Sequence, residues 1–350
     1  LSAMFIIYAM LAYLAFRNRN SIAAYIVAVI LSALAFVTYE IAVIIPFIFI
    51  VIDVFVIKPK WTLKTALPYI PFFILLLLYF VLRSISGAFS GGGDYSYNLA
   101  KLVPNVLGNF IGYIGMYFGG VSFLPVYDGL RGNLRSQWVT LSLIGLLLIG
   151  GIGYSVMRFK KHLVKSLKND HVQLFLFGLF FAFVTLIPFL PLGNIAPRYM
   201  YVASIGFSLS FVILLYVILK HFIRNALIVT VSLIIIVSIF IGAFFMQNKE
   251  EQSKWETAGV IAEETLLFFR TGYASFSPQD IVYLVNVPVT HNGVWLFPVG
   301  LPDGLWFIYR ESTPRIVQTN SLDEAIEAKS KSPANTYIFQ FNNGTIAEVK

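Results

Sequence analysis

The chain contains no cysteine, which excludes disulfides and cysteine-ligated metals. Charge is scarce too: 12% of the 350 residues are Asp, Glu, Lys or Arg, against 58% hydrophobic. Acid is scarcer still in residues 1–247, where five carboxylates (Glu40, Asp53, Asp94, Asp128 and Asp170) stand against 17 Lys and Arg. The four histidines are scattered at positions 162, 171, 221 and 291, so no metal cluster is expected and a divalent metal is not indicated. A Gly-rich phosphate loop with Lys, a paired-His zinc helix and a GxSxG elbow are all missing, so no soluble-enzyme signature remains.

What the chain does have is long apolar runs. Crossing a hydrocarbon core of about 30 Å takes roughly 20 helical residues. Runs of that kind predict about eight spans: Leu1 to Phe16, Ser21 to Tyr39, Ile41 to Ile57, Thr65 to Leu82, Gln137 to Met157, His171 to Leu190, Tyr199 to Leu219 and Ala226 to Met246. Helices are the expected form, because an open sheet would leave backbone groups unpaired in lipid. The expected fold is therefore an α-helical polytopic membrane bundle over residues 1–247, followed by a small soluble domain over 248–350. The chain opens on Leu with an unflanked apolar run and is expected to be the later part of a longer module.

The basic residues of the membrane part sit in short loops, which fits orientation by positive loops and not nucleic-acid binding. One apolar segment, Pro104 to Val126, decides the topology. If it spans, Lys and Arg divide 8 to 9 between the two sides; if it is re-entrant or interfacial, they divide 12 to 5. The second arrangement obeys the positive-inside rule and is the one expected. It puts Glu40, residues 83–136, the turn 191–198 and the tail on the non-cytoplasmic side. Within the segment, Gly108, Gly112, Gly115 and Gly119 recur at helical spacing and predict a smooth strip for close packing.

The tail reads as an α/β domain. "EEQSKWETAGVIAEETLLFF" has helical periodicity, and "IVYLVNVP", "VWLFPV", "LWFIYR" and "RIVQT" read as β-rich runs between turn residues. An acidic helix, "SLDEAIEAKS", precedes a hairpin expected around Asn343 and Gly344.

Ionisable groups in or beside the bilayer are costly to place and so mark candidate sites. Asp53 is expected to pair locally with Lys58 or Lys60. Glu40 lies between two apolar runs, where it can cap the next helix or serve a site. Arg198 stands in "PLGNIAPRYMY", where Pro191, Gly193 and Pro197 stiffen a non-helical approach. A fixed guanidinium fork suits phosphate or carboxylate recognition. Asp94, Asp128 and Arg131 lie in the loops expected on the same side.

Two stretches, "LSALAFVTYEIAVIIPFIFIVIDV" and "LIPFLPLGNIAPRYMYVASIGFSLSFVILL", resemble landmarks of GT-C-type membrane glycosyltransferases, closest to the protein O-mannosyltransferase-like group. Glu40 matches the acid of the first landmark. Arg198, Tyr199, Tyr201, Ser204 and Gly206 match the second. Tyr39 stands where the family pattern has Lys, and Pro197 where it has Glu. The tail resembles, more loosely, an extracytoplasmic domain attached to bacterial membrane proteins of this kind, which implies a bacterial inner or plasma membrane.

The resemblance implies transfer of a sugar from a polyprenyl-phosphate-linked donor to a protein or glycolipid acceptor on the non-cytoplasmic face. It implies that Arg198, Tyr199 and Tyr201 hold the lipid phosphate, that Glu40 orients donor or acceptor, and that the loop carrying Asp94 and Arg131 lines the cleft. The family's catalytic acid is expected upstream of Leu1. A polytopic transporter or lipid flippase, and a non-catalytic scaffold with a partner-binding tail, are the rival expectations.

Overall fold

In the computed structural model, residues 1–87, 101–136, 169–297, 300–332, 335–342 and 344–349 are described. They form two units, Leu1–Ile241 and Gly242–Lys350. In the first unit, α1 (Ser2–Arg19) stops where Asn20 turns left-handed, and α2 (Ile22–Thr38) opens on Ser21, whose hydroxyl accepts from the Ala24 N–H. From Glu40 the chain winds through a 3₁₀ turn, α3 (Ile45–Ile52) and a π turn ending at Ile57. A short α4 (Leu63–Ala66) leads into α5 (Ile70–Ile85), with Pro71 in its first turn.

The segment around Pro104 to Val126 is bent. α6 (Leu102–Gly119) ends at Gly120, with φ 63° and ψ −158°, a backbone region open essentially to glycine alone. α7 (Leu124–Ser136) then folds back along α6. The glycine strip receives it: Tyr127 packs where a Cβ on Gly112 would sit, and Phe123 where one on Gly115 or Gly119 would. Arg131 of α7 reaches Asn105 of α6, so the hairpin begins and ends at one end of the bundle.

α8 (Asp170–Leu186) and α9 (Met200–Phe222) pack backbone to backbone, because a Cβ on Gly206 would run into the Gly178 carbonyl. α10 (Ala226–Gly272) is one long helix. Among the described residues, four helical stretches are long and apolar enough to cross a membrane: Glu40–Ile57, Leu63–Ile85, Pro197–Phe222 and Ala226–Gly272. The eight expected spans are corrected accordingly. Tyr8, Tyr13, Arg17 and Arg19 dilute α1. The runs around α2 and α8 included residues that are not helical: Tyr39 is extended and the chain after Ile187 turns, leaving helices of 17 residues. At 1.5 Å per residue these are about 26 Å long, at the lower end of what a crossing takes. The Gln137 to Met157 run lies outside the described residues.

Asp53 is fully buried, and its partner is Arg17, not Lys58 or Lys60. The guanidinium engages both carboxylate oxygens, and Tyr13 and Tyr69 also donate to Oδ2. Lys58 instead lies 3.9 Å from Asp170. Helical spacing explains the pairing: Tyr13 and Arg17 are one turn apart on α1 and present a hydroxyl and a fork together.

In the second unit, a four-stranded sheet has the order β4-β1-β5-β6. β1 (Ile281–Val285) lies parallel to β4 (Arg315–Thr319) and β5 (Thr336–Asn342), and β6 (Thr345–Glu348) returns antiparallel to β5. β2 (Thr290–His291) and β3 (Val294–Trp295) form a separate small ladder. Alternation along the strands buries both faces. Val282, Leu284 and Phe339 meet Phe269 of α10 and Leu305 of α11 (Leu301–Tyr309), while Val285 and Ile338 meet Ala325 of α12 (Leu322–Lys331). The run "LWFIYR" is thus helical, not β. Leu301, Leu305 and Tyr309 recur every four residues and are its buried positions.

The Tyr309 hydroxyl donates to the Phe269 and Tyr273 carbonyls, and burial pushes its pKa up to about 12. A raised folded-state value contributes stability that is full below the ordinary tyrosine value of about 10 and is lost between there and about 12. In a spectrophotometric tyrosine titration, Tyr309→Phe should therefore remove a component titrating near pH 12; loss of a component near pH 10 would contradict this. At the buried pair, Asp53→Leu strands Arg17 and should cost about 3–5 kcal/mol, whereas Arg17→Met with Asp53→Leu should recover most of it. Thermal unfolding of the detergent-solubilised protein checks this, and equal loss in the single and double variants would contradict it.

Candidate functional site

After α8 the chain leaves helical geometry between Ile187 and Ala196 and re-enters it through the 3₁₀ turn Pro197–Tyr199. Non-helical backbone at the end of an apolar span must find its hydrogen bonds within the protein. Two asparagines on one face of α6 supply them. The Asn109 amide donates to the Leu190 and Leu192 carbonyls, each at 2.9 Å, and Asn105 donates to Pro191 O at 3.1 Å. Both asparagines are themselves fixed from α7: the Tyr127 hydroxyl donates to Asn109 Oδ1 at 2.7 Å, and Arg131 donates to Asn105 Oδ1 at 2.9 Å. The α6–α7 hairpin therefore holds the turn from which Arg198 projects.

Arg198 is exposed, while Tyr199 is buried. The guanidinium lies 5.0 Å above the Tyr199 ring and donates to its hydroxyl at 3.2 Å. Tyr199 in turn stacks on Phe189, with centroids 4.0 Å apart. This layered contact holds the guanidinium itself against a buried aromatic pair while the residue stays exposed. Beside it, the Tyr113 hydroxyl is buried near Arg198, Tyr199 and the Ala196 backbone. Neither that hydroxyl nor Asn194 Oδ1 has a hydrogen-bond partner of good geometry among the described residues. Buried polar atoms in that condition mark places where a ligand or water completes the bonding.

The other sequence-predicted residues are placed differently. Tyr201 is 72% exposed. It lies two residues, about 200° of helical turn, beyond Tyr199 and faces away from the stack. Arg131 joins the site indirectly, through Asn105, and its guanidinium rests 5.8 Å from the Tyr127 ring centroid. Glu40 forms a separate pair with Arg83 at 2.9 Å. Asp94 lies outside the described residues, and Asp128 is exposed on α7. Among the described residues no three His, Asp or Glu side chains converge as metal ligands.

Asn105, Asn109, Tyr113 and Tyr127 were not singled out by sequence reasoning. Their signal was present: two asparagines four residues apart in an otherwise apolar helix, on the same face as Gly112. No protein-family model matches the chain, and neither curated proteins nor solved structures give a match.

Asn109→Leu removes two of the three asparagine hydrogen bonds to the turn and leaves two buried carbonyls unpaired, at about 1–3 kcal/mol each. Because the chain lacks cysteine, a single Ala196→Cys reports directly on the turn. Its labelling should accelerate at least tenfold in the Asn109→Leu background, while Ser86→Cys labels at an unchanged rate. Unchanged labelling at position 196 would show that the asparagine does not hold the turn.

Proposed function

We propose that this chain belongs to a membrane-embedded glycosyltransferase that moves a sugar from a polyprenyl-phosphate-linked donor to an acceptor on the non-cytoplasmic face. The observation that carries the reading is Arg198, an exposed residue whose guanidinium stacks on a buried tyrosine at the start of an apolar span. That depth is where a lipid-linked phosphate resides. A planar fork is the donor geometry that phosphate oxygens accept most strongly.

In this reading Arg198 binds the donor phosphate and offsets the charge that grows on it as the glycosidic bond breaks. Tyr113 underlies the turn as a buried hydroxyl near Arg198 and Tyr199. Arg131 acts at one remove, by keeping Asn105 on the turn. An inverting transfer also needs a carboxylate base beside the acceptor hydroxyl. Glu40, committed to Arg83, stays outside the clamp. The acceptor is a protein or a glycolipid.

In this reading sidedness follows from the 12-to-5 division of basic residues, which takes all eight apolar runs of the sequence as crossings and the segment 104–126 as returning to the side it left. The bend at Gly120 is consistent with that requirement. A re-entrant hairpin also suits a lipid flippase, and the two activities separate by whether a sugar is transferred.

The test is binding of a polyprenyl monophosphate to the protein in nanodiscs. Arg198→Lys keeps the charge but loses the fork, and affinity should fall about tenfold, or about 1.4 kcal/mol. Arg198→Gln should weaken it further. Wild-type affinity in both variants would reject the phosphate clamp.

A further inference from the structure

A groove of about 530 Å³ opens between α2 and α5, apart from the Arg198 turn. Its walls are Ala33, Phe36 and Val37 on one helix and Leu75, Leu78 and Leu82 on the other. Val37 and Leu82 are largely exposed, so the apolar walls face outward, toward the medium that surrounds a membrane bundle. From Leu75 to Ser86 the groove follows about 16 Å of helix. Among the described residues one end is polar, where Tyr79, Arg83 and Ser86 line it and Glu40 bonds Arg83.

The two charges lie at the end of one apolar span, Leu63–Ile85, and at the start of another, Glu40–Ile57. Charged groups at span ends sit at headgroup depth. Each is about one-third exposed, 30% for Arg83 and 38% for Glu40, so both remain within reach of a ligand while bonded to each other. A fixed cation and anion side by side are electrically neutral as a pair. They favour neither an anion nor a cation, but they do complement a head group that carries both charges a few ångströms apart.

From this geometry we infer that the α2–α5 groove binds a zwitterionic phospholipid with a phosphoethanolamine head. Its phosphate accepts from Arg83, its ammonium donates to Glu40, and an acyl chain lies along Phe36, Leu75, Leu78 and Leu82. A trimethylated head has no N–H to donate to Glu40 and binds less well. An anionic glycerol head meets the Glu40 carboxylate without compensation. The inference does not depend on Arg198 or on the transfer reaction.

Native mass spectrometry of the whole 350-residue chain tests it, after release from nanodiscs holding equal phosphoethanolamine, phosphocholine and phosphoglycerol lipids with the same acyl chains. Wild type should retain the phosphoethanolamine lipid at least fivefold over each of the others. Glu40→Gln should abolish the preference over phosphoglycerol, because the carboxylate that disfavours an anion is then gone. Leu78→Trp, which fills the groove without touching the pair, should reduce the retained phosphoethanolamine lipid. Scoring ratios among retained lipids keeps the Glu40 result independent of folding yield. Equal retention of the three lipids by wild type, or an unaltered ratio in Glu40→Gln, would overturn the inference.

Discussion

The carbonyls of Leu190, Pro191 and Leu192 leave the helical pattern at the end of an apolar helix, and the side-chain amides of Asn105 and Asn109 satisfy them. The turn that carries Arg198 depends on that exchange. Irregular backbone is tolerated at membrane depth only where protein surrounds it, so a helix must lie against the turn. α6 does so, and its glycine face lets Tyr127 of α7 come close enough to fix Asn109 in turn. Arg198 then emerges from a turn held on the inside, with a buried tyrosine beneath it.

Charge in this unit is handled in three ways, and the contrast identifies where binding can occur. Arg17 and Asp53 are buried together, with two tyrosine hydroxyls completing the carboxylate, so they form an internal joint between α1, the end of α3 and the start of α5. Breaking such a pair is costly, but it offers a ligand nothing. Arg83 and Glu40 are half-buried and mutually neutralised, which suits a partner carrying both signs. Arg198 is exposed with its guanidinium stacked on a buried tyrosine, the arrangement on which the proposed anion site rests.

Periodicity and charge made part of this legible in the sequence. Apolar runs announced a helical membrane unit, and the compositional shift near residue 247 announced the α/β tail. The strip of four glycines announced a close-packed face. Helix ends were harder, because Ile187 to Leu190 is as apolar as the helix before it and composition does not register where the backbone turns. "LWFIYR" misled for a related reason: its aromatic and β-branched content suggests a strand, while burial every fourth residue, which requires Leu301 to be counted with it, makes a helix. Pairings across the bundle were not legible. Arg17 and Asp53 are 36 residues apart, and nearer lysines were the obvious partners until the helices were packed. The asparagines of α6 carried a signal that a charge-based search passes over, since a neutral amide in an apolar helix is as strong a marker of buried backbone demand as a carboxylate.

The central claim is that the asparagine-held turn positions Arg198 for a lipid phosphate. A double-mutant cycle between Asn109→Leu and Arg198→Gln, read as polyprenyl monophosphate affinity in nanodiscs, tests it most directly. If the turn aims the guanidinium, each single variant weakens binding and the pair together loses less than the sum, with a coupling of about 1 kcal/mol or more. Strict additivity, or a full-strength Arg198 effect in the Asn109→Leu background, would contradict the account.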